Sequence, residues 1–301
     1  MYDVIIVGGG VSGFAAAMYA RRLGLNTAIF SEFSGGTILM AHNVENYPGF
    51  ESISGEELAK KIELHARKYS PDIFDKKVVA IGKKDNFFLV FDGKENHKSK
   101  TIILATGTSP RKLGIKGEEE FLGKGVSYCA LCDAHFYKNK VVAVVGGSDT
   151  AVLEAELLSQ LASKVYIIYR GEKLRAEHEN ITRIKNKSNI EIVTNNNISL
   201  ISGNKFVTKV LLEKEYKRNR ELLIDGVFIA AGHIPVSDLA KSIGINLNEK
   251  GEIIIDKETK TNIEGVFAVG DVTNSIFKQA ITGVAQGCIA AFSAYNYIKR
   301  I

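Results

Sequence analysis

The chain has 301 residues, 45% of them hydrophobic and 24% charged, with 4 prolines and 3 cysteines; that length suits two domains, or one large one, with a full core. An odd trio of cysteines is too few for a secreted disulfide scaffold. The formal charge of +5 comes from Lys and Arg scattered among 34 acids, which favours solubility and is not the basic patch of a nucleic-acid binder.

Strand-like sequence begins at Tyr2, and no apolar run reaches membrane-span length, so the expectation is a cytoplasmic protein with neither leader nor membrane segment. Val4-Ile5-Ile6-Val7 reads as a buried parallel strand, followed by Gly8-Gly9-Gly10-Val11-Ser12-Gly13 and a helix to about Leu23. Gly8, Gly10 and Gly13 satisfy G-x-G-x-x-G between a strand and a helix, where the motif carries information. The first glycine makes the turn, the second admits a pyrophosphate to the backbone, and the third lets the helix pack on the strand. A second strand, Leu25–Phe30, ends at Glu32, about where an acid would bind an adenosine ribose.

Loops carrying Gly35-Gly36-Thr37 and Val44–Phe50 precede a helix over about Gly55–Tyr69. His65 on that helix reads as a surface side chain. Asp72–Leu104 reads as a β-meander broken at glycines, ending in the strand and turn Ile103-Leu104-Ala105-Thr106-Gly107.

Cys129-Ala130-Leu131-Cys132-Asp133 follows. Two cysteines at this spacing can close and open a small disulfide ring, as a redox dithiol must. Half of a zinc site has the same spacing, but no second CxxC or histidine cluster supplies the other two ligands.

The plan then repeats. Val141–Val145 is a second buried strand, followed by Gly146-Gly147-Ser148-Asp149-Thr150-Ala151 and a helix to about Leu161; a third element, Lys164–Tyr169, leads into Arg170-Gly171 and Arg175. Ile103–Pro110 is echoed by Ile229–Pro235, each a strand, a glycine, two residues and a proline. Two βαβ nucleotide folds in one chain is the economical reading. Ile198–Ile224 reads as hairpins with a polar tip at Lys217–Arg220. Strands at Ile253–Ile255 and Val266–Val269 and a helix over about Phe277–Tyr297 close the chain, with Cys288 expected to be a small buried residue.

Taken in order, these motifs resemble the low-molecular-weight thioredoxin reductases, and the likeness spans essentially the whole chain. It implies an α/β fold of two Rossmann-like, three-layer ββα nucleotide-binding domains, the second inserted into the first. The FAD domain would comprise residues 1–113 and 236–301, and the pyridine-nucleotide and CxxC domain residues 114–235. Hinges are implied near Arg111–Lys116 and Gly232–Ser237. It further implies FAD contacts from Gly8, Gly10, Val11, Ser12, Gly13, Glu32, Gly36, Thr37, Asn46, Ala105, Thr106, Gly107, Gly270, Asp271, Lys278, Gln279 and Ala280. The NADP site would use Gly146, Gly147, Ser148, Asp149, Thr150, Arg170 and Arg175. By position, Cys132 would be the flavin-side sulfur, Cys129 the sulfur that attacks a thioredoxin disulfide, and Asp133 the acid, or else a helix cap. A homodimer is implied as well.

The second glycine motif departs from the family pattern. Ser148 stands at a usual glycine, and Tyr169-Arg170-Gly171 with Arg175 replaces a His-Arg-Arg start with a further Arg, so one 2′-phosphate guanidinium is lost. NADPH therefore stands beside NADH, ferredoxin or a deazaflavin as the donor. Thr37 and Lys278 replace a usual Gln and Arg, and both can still hydrogen-bond. Two other readings stay open: a reductase of another dithiol carrier, and a flavin-binding redox sensor.

Overall fold

A computed structural model describes residues 1–41 and 44–301 and divides them into two compact units, Met1–Ser109 with Ile234–Ile301, and Pro110–His233. In the first unit, β1 (Tyr2–Val7) buries Val4, Ile5, Ile6 and Val7, as a parallel strand covered on both faces requires. The chain turns at Gly8, where φ is +115°, into α1 (Val11–Arg22) and returns through β2 (Thr27–Phe30). A 3-10 turn over Gly36–Met40 occupies what reads as loop in sequence. Then come α2 (Gly55–Arg67), N-capped by the Ser54 side chain, β3 (Asp72–Phe74), β4 (Ala80–Lys84), β5 (Phe87–Phe91) and β6 (Asn96–Leu104).

β7 (Thr108–Pro110) spans the division between units, and β8 (Val126–Ser127) precedes α3 (Ala130–Asp133). The second unit's sheet and helices follow as β9 (Val141–Val145), α4 (Asp149–Ser159), β10 (Lys164–Ile168), α5 (His178–Lys185) and β11 (Ile190–Val193). Three antiparallel strands, β12 (Ile198–Gly203), β13 (Val207–Tyr216) and β14 (Asn219–Leu223), turn at Lys217 and Arg218, both with positive φ, as the polar tip suggests. β15 (Gly226–Ile229) re-enters the parallel sheet; β16 (His233–Pro235), α6 (Asp238–Ser242), β17 (Val266–Ala268) and α7 (Ala280–Ile298) complete the chain.

Over the described residues, the first sheet runs β3-β2-β1-β6-β5-β4. β6 pairs parallel with β1 on one edge and serves two partners on the other: Asn96–Ser99 pairs antiparallel with β5, and Ile102–Leu104 pairs parallel with β17. Alternation along β1 sends Val4 and Ile6 to the core beneath α1 and α7, and Ile5 and Val7 to the core with Val78, Phe88 and Val90. The second sheet runs β11-β10-β9-β15-β8. There Val142 and Val144 face α4, while Ala143 and Val145 face the antiparallel three. Each unit is thus built in layers around a sheet, parallel at its centre in the first unit and parallel throughout in the second.

The repeat read from sequence has a backbone counterpart. A Cβ on Gly8 would lie 2.2 Å from the Ala105 carbonyl oxygen, and one on Gly146 would lie 2.2 Å from that of Ala230. The echoed Pro110 and Pro235 segments, β7 and β16, pair with each other.

Some expectations are corrected. Asp72–Leu104 is no separate meander, because β3 is a parallel edge strand on β2 and only β4–β6 run antiparallel. Ile253–Ile255 forms no strand: Ile253 gives its N–H to Val272 and accepts from Asn274, which leaves no ladder to extend. The last helix starts at Ala280, where Gln279 and Thr282 form a capping box. Cys288 is only half-buried, and burial pushes its thiol pKa up. No helix among the described residues is long and apolar enough to cross a membrane.

Candidate active site

Cys129 and Cys132 are joined as a disulfide with their Cα atoms 5.4 Å apart. Cys129 occupies the N-cap of α3, and its Sγ accepts the Cys132 N–H at 3.2 Å. Ser127 brackets Cys129 from the strand side: its Oγ accepts the Cys129 N–H at 3.0 Å, and its hydroxyl donates to the Cys129 carbonyl at 3.2 Å. Cys132 is exposed, whereas Cys129 and Asp133 are partly buried. Asp133 makes no side-chain cap bond to the 3-10 turn that follows, so the cap alternative has no support in the structure. Its charge is felt at Tyr137, whose phenol is pushed up by burial first and then by Asp133 and Asp225.

Two acids near the motif went unread in the sequence. Glu118 is 2% exposed, and its carboxylate accepts the Tyr128 hydroxyl at 2.6 Å and the N–H groups of Leu113, Gly114 and Ile115 at 2.8, 2.6 and 3.4 Å. Burial alone would raise it, but these donors hold it below the usual carboxylate range; Tyr128 is pushed up by burial and then by Glu118. Glu118 thus ties a loop to the residue just before Cys129. The second acid, Glu154, lies on the buried face of α4, where Oε2 has no hydrogen-bond partner and the Ala130 N–H donates to the carboxyl group. Burial pushes its pKa up to about 7, against the Ala130 bond. Its signal was the helical spacing of Ala151, Ala155 and Leu158, which places residue 154 on the same apolar stripe.

In the first unit, the expected dinucleotide residues gather at the carboxyl ends of β1, β6 and β17. Gly13 has no room for a side chain, since a Cβ there would lie 1.9 Å from the Gly8 oxygen. A Cβ on Gly10 would instead meet nothing nearer than the Gly36 Cα at 3.9 Å. The turn is therefore open where a pyrophosphate would lie. The first turn of α1 has neither a side-chain cap nor an acid, so its N–H groups are available to an anion. These residues fit a dinucleotide. Around them, Gly9 N–H donates to Ser31 Oγ, Gly35 N–H donates to the Gly9 carbonyl, Thr37 is exposed, and Glu32 is exposed with Lys77 Nζ 3.9 Å away.

Thr106 Oγ1 donates to the Val236 carbonyl at 2.6 Å, and Val236 N–H to Gly107. Asn46 donates to Gln279 Oε1 at 3.2 Å. Gly270, with φ +75°, donates to Gln286 Oε1 at 2.7 Å and presents Asp271 beside it. Lys278 Nζ bonds the Asp271 carbonyl and pairs with Glu252. Burial would raise Glu252, but Lys278 and Asn248 bring it below its ordinary value. Sequence reading missed Glu252, Gln286 and the seating of Ser12, whose Oγ fills the space before Gly270 and Gly283.

The family model for pyridine nucleotide-disulphide oxidoreductases matches residues 2–287. The chain is 40% identical over 304 residues to the thioredoxin reductase of Treponema pallidum (strain Nichols), covering all of this chain and 98% of that one. It belongs to the thioredoxin reductase family. Among solved structures, thioredoxin reductase of Lactococcus lactis matches with a TM-score of 0.96 at 35% identity, covering 100% of both chains. A ferredoxin-flavin thioredoxin reductase from Clostridium acetobutylicum matches with a TM-score of 0.55 at 33% identity, covering 99% of this chain and 98% of that one.

In this member of the thioredoxin reductase family, the second glycine turn is more crowded than the first. A Cβ on Gly147 or Gly171 would come within 2.6 or 2.5 Å of the Tyr169 ring, which lies against both glycines. Gly171, the site of the missing arginine, is therefore the space that Tyr169 uses. The Arg175 guanidinium sits 5.9 Å from the Tyr169 ring centroid, and the Arg175 backbone N–H donates to the Gly147 carbonyl at 2.6 Å. Arg170 and Thr150 are exposed. Asp149 is occupied structurally, accepting from Glu177 N–H at 2.7 Å and Asn180 Nδ2 at 2.8 Å. Ser148 is the α4 N-cap yet makes no cap bond, which leaves the N–H groups of that helix start without a side-chain acceptor.

Proposed function

We propose that this thioredoxin reductase family member holds FAD in its first unit, takes electrons from NADPH, and reduces the disulfide of a thioredoxin. The carrying observation is the Cys129–Cys132 disulfide at the start of a helix, in a chain whose two units each carry a strand, glycine turn and helix. FAD supplies the link between a two-electron donor and a disulfide. Gly8, Gly10, Val11, Ser12 and Gly13 would hold its pyrophosphate, Glu32 its ribose, and Asp271 with Lys278, Gln279 and Ala280 its flavin end.

The dithiol chemistry belongs to the chain's own residues. The Cys129 thiolate attacks the partner's S–S bond, forming a mixed disulfide and releasing one partner sulfur, which Asp133 protonates. Cys132 then attacks Cys129, re-forms the internal disulfide and frees the second partner sulfur. The protein would act as a homodimer in the cytoplasm.

A different donor is the second reading, favoured by Tyr169 lying against Gly147 and Gly171 and by Ser148 at a usual glycine. The test is anaerobic. Protein loaded with FAD is mixed with NADPH or NADH, and the flavin absorbance is followed. Bleaching by NADPH supports the first reading. Bleaching by dithionite alone, followed by reoxidation with thioredoxin, moves the donor to another class. A flavin that never passes electrons to thioredoxin refutes both.

A further inference from the structure

Glu154 has no place in the scheme above, yet its surroundings are unusual for a carboxyl group. It is 8% exposed, on the helix face of α4 that also buries Ala151, Ala155 and Leu158. A residue needed only to anchor the Ala130 N–H would need only one oxygen. Here the second oxygen is buried with no partner, and an ionised carboxylate with a bare oxygen is costly in such a place. Ala130 follows Cys129 directly and opens α3, so the carboxyl group touches the backbone of the CxxC segment itself.

The elements packed on α4 are α3, the 3-10 turn after it, β9, β10 and α5. Their titratable groups are Asp133, His135 and Tyr137 on the motif side, Lys164 and Tyr166 on β10, and His178, Glu179, Arg183 and Lys185 on α5; β9 has none. None of these donates to Glu154 or perturbs it: burial and the Ala130 bond account for its state. Cys129, which changes charge when the dithiol is reduced, directly precedes the Ala130 whose N–H meets the carboxyl group.

We propose that Glu154 is the proton store of the Cys129–Cys132 pair, protonated while the pair is reduced and releasing its proton when the disulfide forms. The inference rests on the reading of that pair as the redox centre. Reduction breaks the S–S bond with two electrons, which the reductase activity supplies, and one proton, leaving one thiol and one thiolate. The new negative charge draws a further proton from solvent onto the Glu154 carboxylate, so that two protons accompany two electrons. Reoxidation by the partner's disulfide reverses this. The internal S–S bond re-forms, the electron pair passes to the partner's sulfurs, and Glu154 returns its proton to solvent. Glu154 touches backbone rather than sulfur, and so acts as a positioning residue that keeps the motif's charge in balance.

The test compares wild type with Glu154→Gln, both as FAD-loaded full chains, equilibrated with reduced and oxidised dithiothreitol at a series of pH values. The redox state of the pair is read by alkylation and mass analysis. Each additional proton taken up makes the reduction constant fall about tenfold per pH unit. Above neutrality, the ratio of wild-type to variant constants should therefore fall about tenfold per pH unit. A ratio independent of pH overturns the proton store, while a pair that never responds to dithiothreitol overturns the redox centre itself. Should the variant not fold, the wild-type reduced-minus-oxidised infrared difference spectrum at about pH 8 decides. A protonated-carboxyl band gained on reduction, and missing from Cys129→Ser/Cys132→Ser, supports the store; its absence refutes it.

Discussion

Replacing Glu154 by Gln should change how stability depends on pH, and the size of the effect follows from its burial. In the folded protein the carboxyl pKa is raised from 4.5 to about 7. Between those values the native state keeps a proton that the unfolded chain releases, so stability falls as pH rises through the window. A shift of roughly two and a half units at about 1.4 kcal/mol each makes the full loss about 3–4 kcal/mol. Glutamine, always neutral, loses nothing. From about pH 5 to about pH 8.5 the variant should therefore gain about 2–3 kcal/mol on wild type, close to two orders of magnitude in an opening equilibrium. Amide hydrogen exchange at β9 and α4 in the oxidised holoprotein reads this within the second unit alone. The intrinsic pH dependence of exchange cancels in the ratio of the two proteins. A protection ratio that stays level across this range would mean that Glu154 is charged and solvated when folded, and the reasoning would fail.

Serine at both Cys129 and Cys132 should abolish thioredoxin reduction while the flavin still bleaches with a donor, measured by stopped-flow absorbance. Gly13→Ala places a methyl group 1.9 Å from the Gly8 oxygen; the overpacking, about 1–3 kcal/mol, should lower flavin affinity roughly tenfold or more in an equilibrium titration. Tyr128→Phe removes a charge-assisted donor from buried Glu118 and should cost about 1.5–3 kcal/mol in urea unfolding near neutral pH. Because Glu118 is held below its ordinary value of 4.5, that contribution is present above the unfolded pKa and shrinks as pH falls through the folded one. Gly171→Arg should displace the Tyr169 ring, and its effect on the Michaelis constant for NADPH shows whether the ring limits nucleotide binding.

Features set by local spacing were legible in the sequence. The two glycine turns, the CxxC and the doubled strand-glycine-proline segments depend on neighbours a few residues away, and backbone geometry demands them wherever they occur. Glu154 was half legible: the periodicity of α4 assigns position 154 to the core, but the partner that gives it meaning, Ala130, comes from another element. Glu118 was opaque, because its four donors converge through an irregular loop that no periodicity marks. The same holds for Ser12, whose neighbours Gly270 and Gly283 lie at the other end of the chain. The misread boundaries share one cause. Ile253 and Gln279 sit where loop backbone and capping side chains, rather than hydrophobic pattern, decide where an element ends.

The first unit is assembled from two stretches of chain and the second from one. On a ribosome, residues 110–233 can close around β9 and α4 as soon as they emerge, whereas the first 109 residues cannot finish their sheet. β6 must wait for β17, and the bed for α1 must wait for Gly283 and Gly287 of α7. The order of synthesis is therefore the reverse of the order of completion, and the glycine turn after β1 is finished only when α7 arrives.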